Sequence, residues 1–501
     1  MKMLDSISAA ILNHAAKNSF CFSDVFSSYA ALGAKISGIA DVFKTHPEAR
    51  HIGVITNNDI ETYASNIAAL FCGKAFVPIN PENPAERNML ITAQAGLDLI
   101  LTSLPEKVYD IIGKDAQFPI IDTSVLTGNS SVPEIIETDD SATAYILFTS
   151  GSTGIPKGVP ITRGNLNAFI EAFFALGYEL NENDRVLQIF DLTFDLSLMS
   201  YLVPLTVGAC VYPVPSGEIK YTAAYTILED HEITVALMVP SVLSFLRKYF
   251  DEVRLEKMRY SLFCGEALYN DLTQEWKKCV PNALVQNVYG PTEATIFCLT
   301  YDCSNTAAAD KEYNGIVCIG KPMKGTLAVV VDENGTIVPD GTKGELCLAG
   351  TQLTPGYWKN PQKNSEAFIH IEMNGEIIRF YRSGDICFVD DDCDFMFCGR
   401  LDNQVKIQGF RVELSEIEHH AREYTGLSNV VAVPLQDARG NAIIQLVLEK
   451  YKGTEDALMS YLRTRLPAYM IPSVVRNMDA FPLNVNGKVD RKALKKIVET
   501  V

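Results

Sequence analysis

Positive charge is scarce in this chain. Over 501 residues, 43 lysines and arginines stand against 61 aspartates and glutamates, a formal charge of −18. A field of that sign repels nucleic acid and anionic lipid, so neither is expected as a general partner, and any bound anion must be held by local cations. Long apolar runs are missing too. Asp5 and His14 interrupt the N-terminal stretch MKMLDSISAAILNHAAKNSF, no cleavage site is visible, and no segment is long enough to span a bilayer. No membrane insertion and a cytoplasmic location are expected. The twelve cysteines contain no CxxC pair, and even Cys387, Cys393 and Cys398 do not make one. Reduced buried thiols are therefore expected, with no disulfide or metal framework. The GK[ST] ending of the common phosphate loop is absent as well.

With 47% hydrophobic residues, the chain has enough apolar mass for a large core, and its length suggests two or three folding units. Helical and strand patterns alternate through the first four hundred residues, which predicts an α/β architecture with largely parallel sheets. Asn83-Pro84-Ala85-Glu86 supplies a cap, a first-turn proline and a carboxylate for a helix ending near Gly96. Thr162 caps a second helix, in which Leu166, Phe169, Ile170, Phe173 and Phe174 recur at helical spacing before Gly177. The character changes at Gly399-Arg400-Leu401-Asp402, a short turn-like stretch followed by QVKIQGFRVELSEIEHH. Ser415 and Glu418 form a capping box for a new helix. Strands are predicted at 429–434 and 442–449, joined near Gly440-Asn441, with a helix from about Asp456 to Leu466. Residues 1–401 and 402–501 are accordingly expected to form a large and a small α+β domain.

One segment stands apart. Thr149–Gly158 reads TSGSTGIPKG, directly after the apolar run Ala144–Phe148. It has almost nothing to bury, yet it can wrap backbone N–H groups, hydroxyls and the Lys157 cation around a polyphosphate. Downstream, Leu284-Val285 leads into a loop with Tyr289 as a flat face for a purine, Thr292 as a hydroxyl and Glu293 as a hard oxygen ligand for Mg²⁺. Asp385 and Arg400 can hold ribose or phosphate, or simply pair with each other on the surface. Lys488, beside the turn residues Asn486-Gly487, matters only if the small domain delivers it to the large one.

Taken together these segments resemble the adenylate-forming superfamily, which includes acyl- and aryl-CoA synthetases, nonribosomal adenylation domains and firefly luciferase. The likeness runs from about Ala75 to Leu494. Within it FDLSLM (194–199), LFCGEAL (262–268) and NVYGPTEAT (287–295) are most similar to the D-alanine–carrier-protein ligases.

The resemblance implies a large N-terminal domain of stacked mixed and parallel sheets with flanking helices and a barrel-like subdomain, and a small mobile C-terminal domain hinged at Asp402. It implies ATP and Mg²⁺, attack of a carboxylate on the α-phosphate, and capture of the acyl group by a phosphopantetheine thiol. By resemblance Thr149, Ser150, Gly151, Ser152, Thr153, Gly154 and Lys157 hold the β- and γ-phosphates, with Mg²⁺ at Glu293. Gly265, Glu266, Asn287, Val288, Tyr289, Gly290, Pro291 and Thr292 line the ATP site. Asp385, Phe397 and Arg400 lie about the ribose, and Lys488 bridges the substrate carboxylate and the phosphate during adenylation. Asp195 pairs with a substrate ammonium. Leu196, Met199, Leu237, Leu262, Cys264, Val288, Ile296 and Phe297 form the remaining pocket, whose apolar character leaves a strongly polar side chain unpaired. Cys264 matches the D-alanine ligases. Phe297 departs from the smaller residue expected there, so glycine, serine, L-alanine or a modestly larger residue stay open. The expected activity is ligation of a small amino acid, D-alanine favoured, to a separate carrier protein. A free-standing nonribosomal adenylation enzyme is the alternative, and an acyl-CoA synthetase is disfavoured by Asp195.

Overall fold

The computed structural model describes residues 2–114, 118–128, 132–151, 154–215, 220–304, 310–402, 404–437, 441–483 and 489–499. Two sheets of mainly parallel strands form the large unit. The six-stranded one runs Ile120–Asp122, Leu99–Thr102, His51–Ile55, Ala75–Ile79, Thr143–Thr149, Lys157–Thr162, and only the last pairing is antiparallel. The nine-stranded sheet is parallel from Leu284–Tyr289 through to Asn18–Phe22, with antiparallel strands at both edges. Strands such as Val235–Met238 and Cys210–Pro213 are buried along their whole length, as expected where helices cover both faces of a parallel sheet. One hydrophobic core, from Met3 to Tyr381, joins the two sheets.

A five-stranded antiparallel sheet, built from Thr326–Val331, Gly344–Gly350, Phe368–Met373, Glu376–Val389 and Phe395–Arg400, stands where a barrel-like unit was expected. The C-terminal residues have their own core. Val430–Gln436, Ala442–Glu449 and Val474–Met478 form a three-stranded sheet whose residues alternate between two apolar clusters. Val430, Ala432 and Leu446 face the helices Leu414–Thr425 and Glu455–Arg465, while Val431, Val433 and Val447 meet Leu494 and Val498 of the last helix. Strand period two, with apolar residues on both faces, buries both sides of this sheet. No helix among the described residues is long and apolar enough to cross a membrane.

Several local expectations need correction. The helix Ala85–Ala95 ends at Gly96 (φ 68°) as expected, but Pro84 itself is the N-cap and no side chain caps it. Thr162 does cap Arg163–Ala175, in a reciprocal box with Asn165. The capping box at Ser415 and Glu418 does not form. The helix starts at Leu414 with Glu413 as N-cap, and Glu418 is drawn to Arg422, Arg491 and the Ala432 N–H. Two arginines, one a turn further along the same helix and one from the last helix, together with the Ala432 N–H outcompete the local cap. Gly399 and Arg400 belong to a strand, as do Asn287, Val288 and Tyr289, so the second loop begins only at Gly290. Gly440 lies outside the described residues. Nine of the twelve cysteines are buried and all are free.

Candidate active site

In open α/β sheets ligands bind beyond the carboxyl ends of the strands, and the candidate residues collect there. The strand Tyr260–Phe263 runs out at Cys264-Gly265-Glu266, Leu284–Tyr289 at Gly290-Pro291-Thr292-Glu293, and Thr143–Thr149 at Ser150-Gly151. One cavity is bounded by Gly265, Glu266, residues 287–291, Asp385, Phe397 and Arg400. Its neighbour is bounded by Thr149, Ser150, Asp195, Leu196, Cys264 and Thr292. Residues that are far apart in the chain thus meet at two adjoining cavities, which share Cys264, Gly265, Gly290 and Pro291. Met199, Ile296 and Phe297 are fully buried and border neither cavity; Phe297 packs edge-on against Phe169, with ring centroids 5.0 Å apart. These three back the pocket wall from behind. Ser152, Thr153 and Lys488 lie outside the described residues. Beside Lys488, Leu483 and Val489 pair with each other, and Arg491 binds Glu418.

Asp195 opens the helix Asp195–Leu205 and is buried. The helix N-terminus favours its charge, and the nearby Thr292 hydroxyl and Leu196 N–H act to lower its pKa. Burial nevertheless pushes its pKa up to about 6, and Oδ2 has no hydrogen-bond partner. A buried carboxylate oxygen without a partner is costly, and a ligand ammonium would satisfy it. The Cys264 thiol is pushed up to about 12 by burial and stays neutral.

Glu293 is the opposite case. Burial pushes its carboxyl upward, but the Arg411 guanidinium, the Tyr357 hydroxyl and the Lys157 cation outweigh it and hold the pKa at about 2. Asp385 accepts from Arg400 and from the Tyr289 hydroxyl, while Arg400 also donates to Asp402 at 2.7 Å. This pair is largely buried, so the surface ion-pair alternative does not hold. The backbone after Glu293 is strained: Thr295 and the β-branched Ile296 have φ of 58° and 71°. Gln352 holds them there, its side-chain amide donating to the carbonyls of Ala294 and Phe297 and its backbone carbonyl accepting from the Thr295 hydroxyl at 2.6 Å.

A group of site residues escaped the sequence reading. The hairpin of Gln404–Ile407 and Phe410–Glu413 inserts into the cleft from the C-terminal side. Its two-residue turn, Gln408-Gly409, has φ of 51° and 83°, the left-handed pair of a tight hairpin. Gly409 is required on two counts, because a Cβ there would sit 2.4 Å from Val239 Cγ1. The Gly409 N–H donates to Glu266 at 2.8 Å, and Phe410 lies between Phe194 and a stacked Tyr469 at 3.9 Å. Lys406 is half-buried beside Cys264 and Asp195, and desolvation lowers its pKa. Arg411 donates to both oxygens of Glu293 at 3.1 and 2.9 Å. Glu413 meets Lys157 at 3.2 Å, and Glu416 accepts from the Gly151 N–H at 3.1 Å. The alternating pattern VKIQGFRVE around a tight turn was the signal for this hairpin, but it carries no hint of where the hairpin docks.

A cleft at the ends of parallel strands, with a Gly/Ser/Lys loop on one side and a buried acid on the other, is the arrangement of a nucleotide-dependent enzyme. A family model described as AMP-binding enzyme matches residues 9–358. The chain is 31% identical to the D-alanine--D-alanyl carrier protein ligase of Bacillus cereus (strain G9842), with 99% of both chains covered. It is 32% identical to a linear gramicidin synthase of Brevibacillus parabrevis, where the match takes in 93% of this chain but spans only 9% of that much longer protein. Among solved structures, the Vibrio cholerae adenylation domain AlmE in complex with glycyl-adenosine-5'-phosphate superposes with a TM-score of 0.86 at 26% identity, covering 100% of this chain and 98% of that one. The chain belongs to the AMP-binding enzyme family. It is an ATP-dependent, AMP-forming ligase.

Proposed function

We propose that this enzyme activates a small apolar amino acid, D-alanine in the first instance, as its adenylate, and then hands the aminoacyl group to the phosphopantetheine thiol of a separate carrier protein. The observation that carries this reading is the unpartnered Oδ2 of buried Asp195, a residue that borders one cavity together with Leu196 and the neutral Cys264. An α-ammonium there would complete the carboxylate, and the substrate carboxylate would then point toward Thr149 and Ser150. The match to D-alanine ligases over their full length supports the carrier-protein half. Glycine is the second reading, supported by the glycyl-adenylate named for AlmE.

In the adenylation step two anions meet, so the site has to gather positive charge at the α-phosphate. Lys157 and the N–H groups of the phosphate loop would hold the β- and γ-phosphates. Glu266 and residues 287–290 would border the adenine, and Asp385 with Arg400 would hold the ribose, with Phe397 close by. Glu293 fits a divalent cation: it is a fully buried carboxylate kept ionised by neighbouring positive charge. When bound there, Mg²⁺ would neutralise charge on the phosphates. Lys488 would bridge the two reacting anions. Residues 1–401 and 402–501 would act as two domains hinged at Asp402, so that Lys488 serves the first step and the 404–413 hairpin the second.

The test is ATP–pyrophosphate exchange with D-alanine, L-alanine, glycine, serine, larger amino acids and a fatty acid. Exchange strongest with D-alanine or glycine, and silent with the fatty acid, is expected. Preferential exchange with a large amino acid would replace the substrate reading, and no exchange with any amino acid would end it. Lys488→Ala should abolish exchange and spare thiol transfer from preformed adenylate; equal loss in both would remove its assignment.

A further inference from the structure

Away from the cleft, three side chains of different kinds converge at the edge of the nine-stranded sheet. Cys21 lies on the strand Asn18–Phe22, Asp24 on the turn into the outermost strand Val25–Ser28, and His231 just past the helix Lys220–Asp230. A sulfur, a carboxylate oxygen and an imidazole nitrogen from these three all lie within 4.8 Å of one another. His231 Nε2 is 3.0 Å from Asp24 Oδ1. None of the three borders either cavity of the cleft. Each donor is held from outside the group. The hairpin pairs Phe22 with Val25 and turns on Ser23-Asp24, both left-handed at φ 46° and 66°. Such turns favour glycine, yet here the second position carries a carboxylate that comes back to Cys21. The His231 ring packs on Tyr212 with centroids 4.9 Å apart, and Arg185 donates to the His231 carbonyl at 2.8 Å. Burial pushes the Cys21 thiol up, against the Asp24 N–H, which favours the thiolate, while the Asp24 carboxylate opposes it. A divalent cation removes that conflict, because a thiolate, a carboxylate and a neutral imidazole together balance its charge.

We propose that Cys21, Asp24 and His231 form a zinc site, with water as the fourth ligand. Mixed sulfur, nitrogen and oxygen donors suit Zn²⁺ and disfavour Mg²⁺ and Ca²⁺, which take oxygen ligands. A tetrahedral zinc with bonds of about 2.0–2.3 Å keeps its donors about 3.4–3.6 Å apart, so the group has to close by no more than about 1.2 Å. Asp24 can supply that movement and an entry path, because its side chain is 84% exposed. Binding releases the thiol proton to solvent and replaces the His231–Asp24 contact with two metal bonds. The ion ties the hairpin at the sheet edge, with its exposed Val25 and Phe26, to the end of the helix Lys220–Asp230. Three protein ligands leave one position open, so the ion is exchangeable. A second group, His419, His420 and Glu423, is equally compact, but it offers no sulfur, and Glu423 already accepts from the Tyr461 hydroxyl at 2.8 Å. The inference is independent of the reading of the cleft.

Co²⁺ titration of the full-length, reduced and chelator-treated enzyme tests it. One equivalent should give a thiolate-to-cobalt charge-transfer band in the near ultraviolet, and Zn²⁺ should abolish the band by displacement. The band should vanish in Cys21→Ser. It should persist in Cys393→Ser, which removes the exposed thiol, and in His419→Gln/His420→Gln, which removes the second group. Two surface variants keep the test open if Cys21→Ser folds poorly. His231→Gln should weaken Zn²⁺ binding by about 100-fold or more, since even outer-shell partners of a metal are worth about 10- to 100-fold. Asp24→Asn suits the left-handed turn equally well, so its fold should hold while Zn²⁺ affinity falls by about tenfold or more. Zn²⁺ should raise the melting temperature of the parent enzyme and leave that of His231→Gln unchanged. No band with a folded parent enzyme, a band that survives Cys21→Ser, or Zn²⁺ affinity unchanged in His231→Gln or Asp24→Asn would overturn the site.

Discussion

The two sides of the cleft are built in different ways. On the N-terminal side the functional groups are continuous with the main core: Asp195 sits on a wholly buried helix, and Phe297 and Gln352 brace the strained segment from behind. On the C-terminal side the hairpin has only two short strands of its own and reaches its place through buried ion pairs and one glycine contact. A wall made of core is rigid and contributes to global stability. A wall made of swappable charges is stable only while its partners are present, as a moving part has to be.

Substitutions can separate the two. On the core side Phe297→Ala should lower global stability by about 3–5 kcal/mol, read as a lower denaturation midpoint. Asp195→Asn should reduce kcat/KM for the amino acid by about 2–5 kcal/mol, roughly 30- to 4000-fold, with little change in affinity for an ATP analogue. A matching loss of nucleotide affinity would mean that the two cavities are not separable. On the hairpin side Gly409→Ala puts a methyl against Val239 at a left-handed backbone position, so docking should weaken by about 1–3 kcal/mol while the melting temperature of the large unit holds. The smallest effect is in pH. Burial raises Asp195 from 3.8 to about 6, so between those values the folded protein holds a proton that the unfolded chain has released. The charged form thus weakens the fold above about pH 6, and acid relieves that penalty. Binding of an ammonium needs the charged form, so KM for the amino acid should rise as pH falls through about 6, and Asp195→Asn should lack that limb.

What could be read from the chain follows the same division. The loop at 149–158 stands out because it has almost no apolar side chain to bury, and Asp195 because FDLSLM resembles the amino-acid-activating ligases. Both properties are local. Thr162 is likewise legible, since its cap partner is three residues away. Ser415 and Glu418 carry an equally good cap signal that fails, because Arg422 one turn on in the same helix, and Arg491 and the Ala432 N–H from other elements, compete for Glu418. The same limit hides Lys406, Arg411, Glu413 and Glu416. Their types suggest an exposed charged hairpin, and only docking against Glu293, Lys157 and Gly151 gives them a role. Gln352 was invisible for a related reason: its side-chain amide donates to backbone carbonyls nearly sixty residues away in the chain.

The contact behind Gly290 bears on redesign. A Cβ at that glycine would come within 2.4 Å of Phe297 Cα, so backbone rests on backbone there and no side chain stands between. Trimming Phe297 would empty space among Phe169 and Phe173, on the far side of that partition, without lengthening the chamber a substrate enters. Variants meant to accept longer amino acids should instead shorten Leu196 or Cys264, which border the open volume.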